Sequence, residues 1–176
     1  MRRYVIITDK GVNVLFNIGD IVVYSSQGIC KIDCIEQKQI GKNTIDYYVL
    51  KPLSNLNTSV FVPVDNEIVT SKMLNVLTAD EAKKLISEAG SLPYIKFESE
   101  NRKREQYNTI LASNNRQELL SLIKTIRLER ETRHAVGKKL NIVDEQTLRK
   151  AESLLFNELA YVLKITNAEA QEMIKF

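Results

Sequence analysis

Few residues in this chain could bind a metal ion or carry out redox chemistry. Cys30, Cys34 and His134 are the only cysteines and the only histidine among its 176 residues. A structural zinc site needs about four such ligands, so we expect no metal and no cofactor. At a spacing of four residues within one predicted strand, the two cysteines would share a face but lie too far apart for a disulfide. We therefore expect two reduced thiols that serve as small core residues.

Catalytic motifs are equally scarce. The segment Gly41–Asn43 resembles the end of a phosphate-binding loop. That motif requires Ser or Thr after the lysine and a glycine five residues before Gly41, where Glu36 lies. His134 falls at the predicted end of a helix, where a cation is favoured for reasons unrelated to catalysis. The sequence thus favours a protein that is not an enzyme, and an enzyme with an unrecognised site is the alternative.

The segment from Gly19 to about Asp65 has the pattern of a small antiparallel β-structure. Short runs rich in Val, Ile and Tyr alternate with hairpin-sized polar connections. Four or five such strands within about 50 residues are best satisfied by a strongly bent sheet closed into a barrel. Pro63 cannot donate a ladder hydrogen bond, so its strand is predicted to lie at an edge or to end there. The predicted strands are Asp20–Tyr24, Gly28–Glu36, Ile45–Lys51 and Ser59–Val64.

Helical signals begin after Ile68. Thr78 with Glu81, and Thr166 with Glu169, have the spacing of a capping box. Apolar residues recur at helical spacing between the two boxes. We therefore predict an α+β protein in which an antiparallel β-barrel precedes an all-α domain. The predicted helices are Ala79–Ala89, one from Asn114 or Asn115 to about His134, one over about Asp144–Ile165, and a short one after Thr166.

Positive charge is concentrated in one part of the helical half. Residues 1–67 carry seven Lys or Arg and seven Asp or Glu, whereas residues 95–140 carry eleven basic and six acidic side chains. This local excess predicts contact with a polyanion, and a solvated helix face is the alternative. The candidate phosphate-binding cations are Arg102, Lys103, Arg104, Lys138, Lys139 and Arg149.

Composition indicates a folded protein of the cytoplasm. The chain is 44% apolar and 27% charged, which is ordinary for a globular domain. No run reaches the length of about 18 apolar residues that spans a bilayer, and no signal peptide is recognised. We expect no membrane and no small-molecule partner.

Aromatic residues of the β-segment suggest a protein-binding surface. Tyr24, Tyr47, Tyr48 and Phe61 could form a cage for a methylated cation. Tyr47 and Tyr48 are adjacent, however, and point to opposite faces of their strand. Core packing with one exposed aromatic beside an edge strand is the favoured interpretation, and such a surface suits the addition of a partner's strand.

Several segments together resemble the CarD/CdnL family of bacterial transcription regulators. They are Leu15–Tyr24 (LFNIGDIVVY), Tyr47–Lys51 (YYVLK), Val60–Pro63 (VFVP), Leu111–Ser113 (LAS) and Lys150–Ala160. The resemblance covers roughly residues 15–176. Its barrel half is also similar to the polymerase-binding domain of transcription-repair coupling factors, but no helicase motif supports that assignment.

The resemblance implies a Tudor-like barrel over residues 15–69 and a helical DNA-binding domain over 70–176, and it leaves residues 1–14 outside as an N-terminal extension. In this family the barrel pairs with the β subunit of RNA polymerase, and the helical domain contacts promoter DNA and modulates the open complex. A different hypothesis is a barrel that binds RNA or a ribosomal protein, with the helices as a scaffold.

The resemblance also implies polymerase-binding residues. A basic residue on the second strand is matched by Lys38, and another on the strand that ends in Val-Pro is matched by Phe61. The second match replaces a charge with an apolar ring. The polymerase-binding set predicted in this way is Lys38, Tyr48, Val60, Phe61, Val62 and Pro63.

The match on the DNA side is incomplete. Family members insert a tryptophan into the minor groove just before a basic pair that corresponds to Arg102 and Lys103. This chain has no tryptophan, and the corresponding position falls at or near Glu100. The aromatic residues that could replace it are Tyr94, Phe97 and Tyr107.

Overall fold

The computed structural model describes residues 6–8, 11–13 and 16–176. Within them the chain forms two compact units, one containing residues up to Val23 with Ile29–Asn75, the other Tyr24–Gly28 with Val76–Phe176. The predicted α+β class is confirmed, with a sheet in the first unit and most helices in the second. In the predicted N-terminal extension, β1 (Ile6–Thr8) and β2 (Gly11–Asn13) pair antiparallel. The rest of that extension lies outside the described residues.

A five-stranded antiparallel sheet forms the first unit. Its strands are β3 (Ile21–Tyr24), β4 (Gly28–Ile40), β5 (Asn43–Pro52), β6 (Val60–Pro63) and β7 (Met73–Asn75). They follow the order β6-β5-β4-β3-β7, so β6 ends the sheet among the described strands. Pro63 is the last residue of β6, as its missing amide hydrogen predicts.

A β-bulge at Asp33 decides which side chains of β4 face outward. The residues on either side of it pair with adjacent residues of β5, Leu50 and Val49, so Asp33 has no partner in the register. Because residues opposite each other share a face and faces alternate, the bulge exchanges the faces of all later residues of β4. Cys30 and Cys34 therefore lie on opposite faces, which corrects the expectation of a shared face.

The inner face of the sheet is an apolar core. Burial raises the pKa of the Tyr48 hydroxyl to about 12 and that of the Cys30 thiol to about 12, so both stay protonated at neutral pH. Both cysteines are free thiols. No group of three or more His, Cys, Asp or Glu side chains in the described ranges is placed to hold a metal ion. The core residues with no exposed surface include Val22, Ile32, Tyr48, Leu50 and Val62.

A short helix and β7 extend the first unit beyond the predicted boundary at residue 69. The one-turn helix α1 (Glu67–Thr70) is capped by Asn66 and leads directly into β7. Met73 of β7 is 3% exposed, so this residue belongs to the core of the unit. Elements this short carry no periodic signal, which is why the sequence pattern missed them.

The second unit is a helical bundle whose ends are set by local capping. Both predicted capping boxes are present, Thr78 with Glu81 and Thr166 with Glu169. Asn115 caps α4 by accepting two amide hydrogen bonds. None of the described helices combines the length and apolar character needed to cross a bilayer. The helices are α2 (Ala79–Glu88), α3 (Glu100–Ser113), α4 (Arg116–Ala135), α5 (Ile142–Leu163) and α6 (Asn167–Met173).

Candidate partner-binding face and nucleic-acid interface

The outward face of the sheet carries a cation that lies over two aromatic rings. The Nζ atom of Lys38 is 3.2 Å from the centroid of the Phe61 ring and 6.0 Å from that of Tyr47. The two rings meet edge to face, with centroids 6.4 Å apart. Phe61 is 39% exposed, and the other two residues are half-buried. We call these three residues the outer-face cluster.

The strand register brings the outer-face cluster together. Tyr47 lies opposite Glu36 of β4 and opposite Pro63 of β6. Because side chains alternate along a strand, Lys38, two residues after Glu36, shares this face, and so does Phe61, two residues before Pro63. The bulge in β4 is the cause, since in a regular strand Lys38 would point to the core side.

Two of the predicted polymerase-binding side chains are inaccessible. Tyr48 and Val62 lie opposite each other on the inner face and have no exposed surface. A partner could reach these side chains only by opening the sheet, so binding through Tyr48 and Val62 stays a prediction that their burial does not favour. Val62 can contribute its backbone to the edge of β6. The predicted residues that remain accessible are Lys38, Val60, Phe61 and Pro63.

In the helical unit, the predicted phosphate-binding cations Arg102, Lys103 and Arg104 are consecutive on α3, and the middle one is buried. Lys103 is 4% exposed, and its Nζ lies 3.0 Å from Oδ2 of Asp144 and 3.1 Å from Oε2 of Glu129. One turn further along α3, the Tyr107 hydroxyl donates to Oδ1 of Asp144 at 2.8 Å. We call these four residues the buried network, and it joins α3, α4 and α5. A phosphate could approach this ammonium only by displacing a carboxylate.

Two opposing effects act on the charge of Lys103. Burial alone would lower its pKa, because removal from water disfavours the ammonium. Hydrogen bonds to Asp144 and Glu129 outweigh burial and raise the pKa of Lys103 above its ordinary value. The lysine is therefore charged at neutral pH and compensates buried carboxylates.

Both neighbours of Lys103 on α3 are exposed, and Arg102 lies close to carboxylates. Arg102 forms an ion pair with Glu98, one turn before it. A groove of about 660 Å³ along this side of α3 is lined by Arg102 together with Glu98, Glu105 and Glu118. Arg104 is exposed on the same helix. Carboxylates thus outnumber the arginine in the α3 groove.

The remaining predicted cations share a second groove. It encloses about 530 Å³ between the end of α4, the turn that follows and the start of α5. Lys138, Lys139 and Arg149 line it, together with Arg130, a cation that sequence reasoning missed. Among the described residues in its lining, Glu145 is the one carboxylate, and it pairs with Arg149 at 3.4 Å. We call this the basic groove.

A Schellman turn presents the two lysines of the basic groove. The Gly137 amide donates to the carbonyl of His134, and the Lys138 amide donates to that of Arg133 at 2.8 Å. These two bonds end α4, and the φ of +72° at Gly137 explains why a glycine is suited to this position. Lys138 and Lys139 then leave the helix into solvent, and both are exposed.

The candidate replacements for the missing tryptophan differ in exposure: Tyr94 is exposed, Phe97 is half-buried and Tyr107 is buried. Tyr107 is 1% exposed, and Phe97 packs edge to face against it with ring centroids 5.2 Å apart. Tyr94 is 50% exposed, with Nζ of Lys124 4.8 Å from its ring centroid. The side chain of Glu100 lies outside the part of the chain that the structure describes.

Comparison with known proteins places the sheet in a family. Residues 16–73 match the family model described as the CarD-like/TRCF RID domain. The match confirms the predicted resemblance over β3 to β6 and includes the outer-face cluster. It supports an RNA-polymerase-interacting, transcription-related role, and the matched family is a non-catalytic interaction domain. The comparison with curated proteins finds no match. The predicted resemblance of the helical half lies outside the matched residues and stays a prediction.

Proposed function

We propose that this protein is a bacterial transcription regulator. It binds the β subunit of RNA polymerase through its sheet and promoter DNA through its helical unit, and it thereby modulates the stability of the open promoter complex. It acts as an adaptor rather than as an enzyme, in the cytoplasm where the polymerase works. The observation that carries this proposal is the exposed outer-face cluster beside the edge strand β6, within the segment that matches the family model.

The chemistry of this face suits a protein partner. An edge strand offers unpaired backbone groups to which a partner can add a strand, and neighbouring side chains then provide specificity. Phe61 supplies an apolar surface next to β6, and Lys38 supplies a cation that can meet a carboxylate at the rim. Aromatic anchors with a charged neighbour are typical of the residues that dominate binding energy.

The helical unit supplies positive charge for DNA. Lys103 is excluded as a phosphate contact because the buried network already binds its ammonium. Contacts from the exposed cations to phosphates would give affinity that depends on salt and not on sequence. The exposed predicted cations are Arg102, Arg104, Lys138, Lys139 and Arg149.

Equilibrium binding to purified bacterial RNA polymerase tests the proposed function. Phe61→Asp places a charge on the apolar anchor, and we expect it to weaken binding by about 2 kcal/mol or more, which is roughly thirtyfold in Kd. Lys38→Glu is a second variant of the same cluster that keeps the ring, and it should also weaken binding.

Ile18→Asp is the matched control. Ile18 is an apolar residue that is 56% exposed, and it precedes β3, which β4 and β5 separate from β6 in the strand order. We expect this variant to bind like the wild type. Urea unfolding of each variant separates a lost contact from a lost fold. The proposal would be contradicted if the wild-type chain did not bind polymerase, or if it bound ribosomal components instead.

A further inference from the structure

The predicted phosphate contacts fall on two surfaces of the helical unit that differ in charge. On α3, Arg102 shares its groove with Glu98, Glu105 and Glu118 and is ion-paired to the first of them. A phosphate in the α3 groove would meet three carboxylates and one guanidinium, and like charges repel at close range. The α3 groove is therefore poorly suited to a polyanion.

The basic groove has the opposite balance. Arg130, Lys138, Lys139 and Arg149 surround one carboxylate, Glu145. The pair that Glu145 forms with Arg149 is solvent-exposed, since the arginine side chain is 76% exposed, so it competes weakly with a phosphate. Among the described residues, no carboxylate lies within ion-pair distance of either lysine. Cations that line one concave surface concentrate the field that attracts a polyanion.

We infer that the basic groove, and not the start of α3, holds the phosphate backbone of duplex DNA. This inference rests on the proposed function and specifies where the helical unit makes its contact. The cations come from three successive elements, Arg130 from α4, the two lysines from the Schellman turn and Arg149 from α5. The groove is thus built by the junction of two helices rather than by one run of basic residues.

An apolar side chain in the same groove favours a duplex over a small anion. Ile142 is the first residue of α5, lines the groove and is 76% exposed. A free phosphate would leave this side chain in water. A duplex can contact it, because apolar side chains such as Ile insert between base steps in minor grooves beside the phosphate contacts.

Salt-dependent binding of the full chain to a labelled duplex of mixed sequence tests the inference. In the groove variant, Lys138, Lys139 and Arg149 are all replaced by Gln. If each meets one phosphate, the slope of log affinity against log salt should become shallower by about 2.7. The wild type should then lose roughly fortyfold more affinity than this variant between about 50 and 200 mM salt.

Two further variants make the test specific. Arg102→Gln with Arg104→Gln removes the exposed α3 cations and should change the slope by less than one. A control with Lys83, Lys84 and Lys164 replaced by Gln removes the same net charge from exposed positions outside the groove, and it should bind with the wild-type slope.

An unchanged slope in the groove variant would overturn the inference, as would a larger change in the α3 variant. Tighter binding to single-stranded RNA than to the duplex would overturn the choice of ligand. Failure of Phe61→Asp to weaken polymerase binding would instead overturn the proposed function of the sheet, while the result for the groove would still stand.

Discussion

Lys103 and Asp144 form a buried ion pair in the helical unit, with 3.0 Å between Nζ and Oδ2. Asp144 also belongs to the first turn of α5, where its amide donates to Oδ1 of the capping residue Asn141 at 2.8 Å. The Asn141 amide group donates in turn to Oδ2 of Asp144. One carboxylate therefore fixes α3 and the start of α5, the helix that lines the basic groove.

Lys103→Met should destabilise the helical unit strongly. The substitution keeps most of the side-chain volume but leaves Asp144 and Glu129 without their shared cation, and the Asp144 side chain is 1% exposed. Removing one partner of a buried ion pair costs about 3–5 kcal/mol. Urea unfolding followed by circular dichroism should show this loss in the free energy of unfolding.

Arg104→Met is the matched control, because Arg104 is next to Lys103 on α3 and is exposed. Such a surface change should alter the free energy of unfolding by about 0.5 kcal/mol or less. Equal losses in the two variants would contradict the structural role given to Lys103.

Features of the fold that depend on neighbours in the chain could be predicted. The capping boxes at Thr78 and Thr166 join groups three residues apart, so the local sequence contains the whole signal. The turn at Gly41 lies within the connection predicted between the strands Gly28–Glu36 and Ile45–Lys51, and Ile40 and Asn43 pair across it.

Features that depend on distant pairing could not be predicted. The bulge at Asp33 follows from the register between β4 and β5, and it alone decides that Lys38 faces outward. The burial of Lys103 had a local signal, because Tyr107 and Leu111 follow it at helical spacing and are buried. Its carboxylate partners, however, lie 26 and 41 residues away in the sequence.

Acid should remove the contribution of the two capping boxes. Hydrogen bonds from the amide and hydroxyl of Thr78 and of Thr166 lower the pKa values of Glu81 and Glu169 below their ordinary 4.5. A carboxylate whose pKa is lowered by folding stabilises the protein above its unfolded pKa and loses this effect as pH falls through the folded value. The variant with both glutamates replaced by Gln should thus be less stable than the wild type at pH 7. Unfolding measured between about pH 7 and 2 should show the difference shrinking below about pH 5, and a constant difference would contradict the assignment.

The sheet unit should fold without the helices, and β7 should contribute to its stability. A fragment of residues 1–76 contains all five strands of the sheet and should show one cooperative thermal transition. A fragment of residues 1–70 lacks the buried Met73 and should be less stable by about 2 kcal/mol or more. Non-cooperative melting of the longer fragment would show that the two units do not fold separately.

The lifetime of the open promoter complex tests the whole account most directly, because it requires the sheet and the helical unit together. We expect the wild-type chain to lengthen this lifetime when it is added to RNA polymerase on promoter DNA. Phe61→Asp should abolish the effect by removing the polymerase contact, and the groove variant should reduce it by removing contacts with DNA. A lifetime that the wild-type chain leaves unchanged, or that both variants extend as much as the wild type does, would contradict the account.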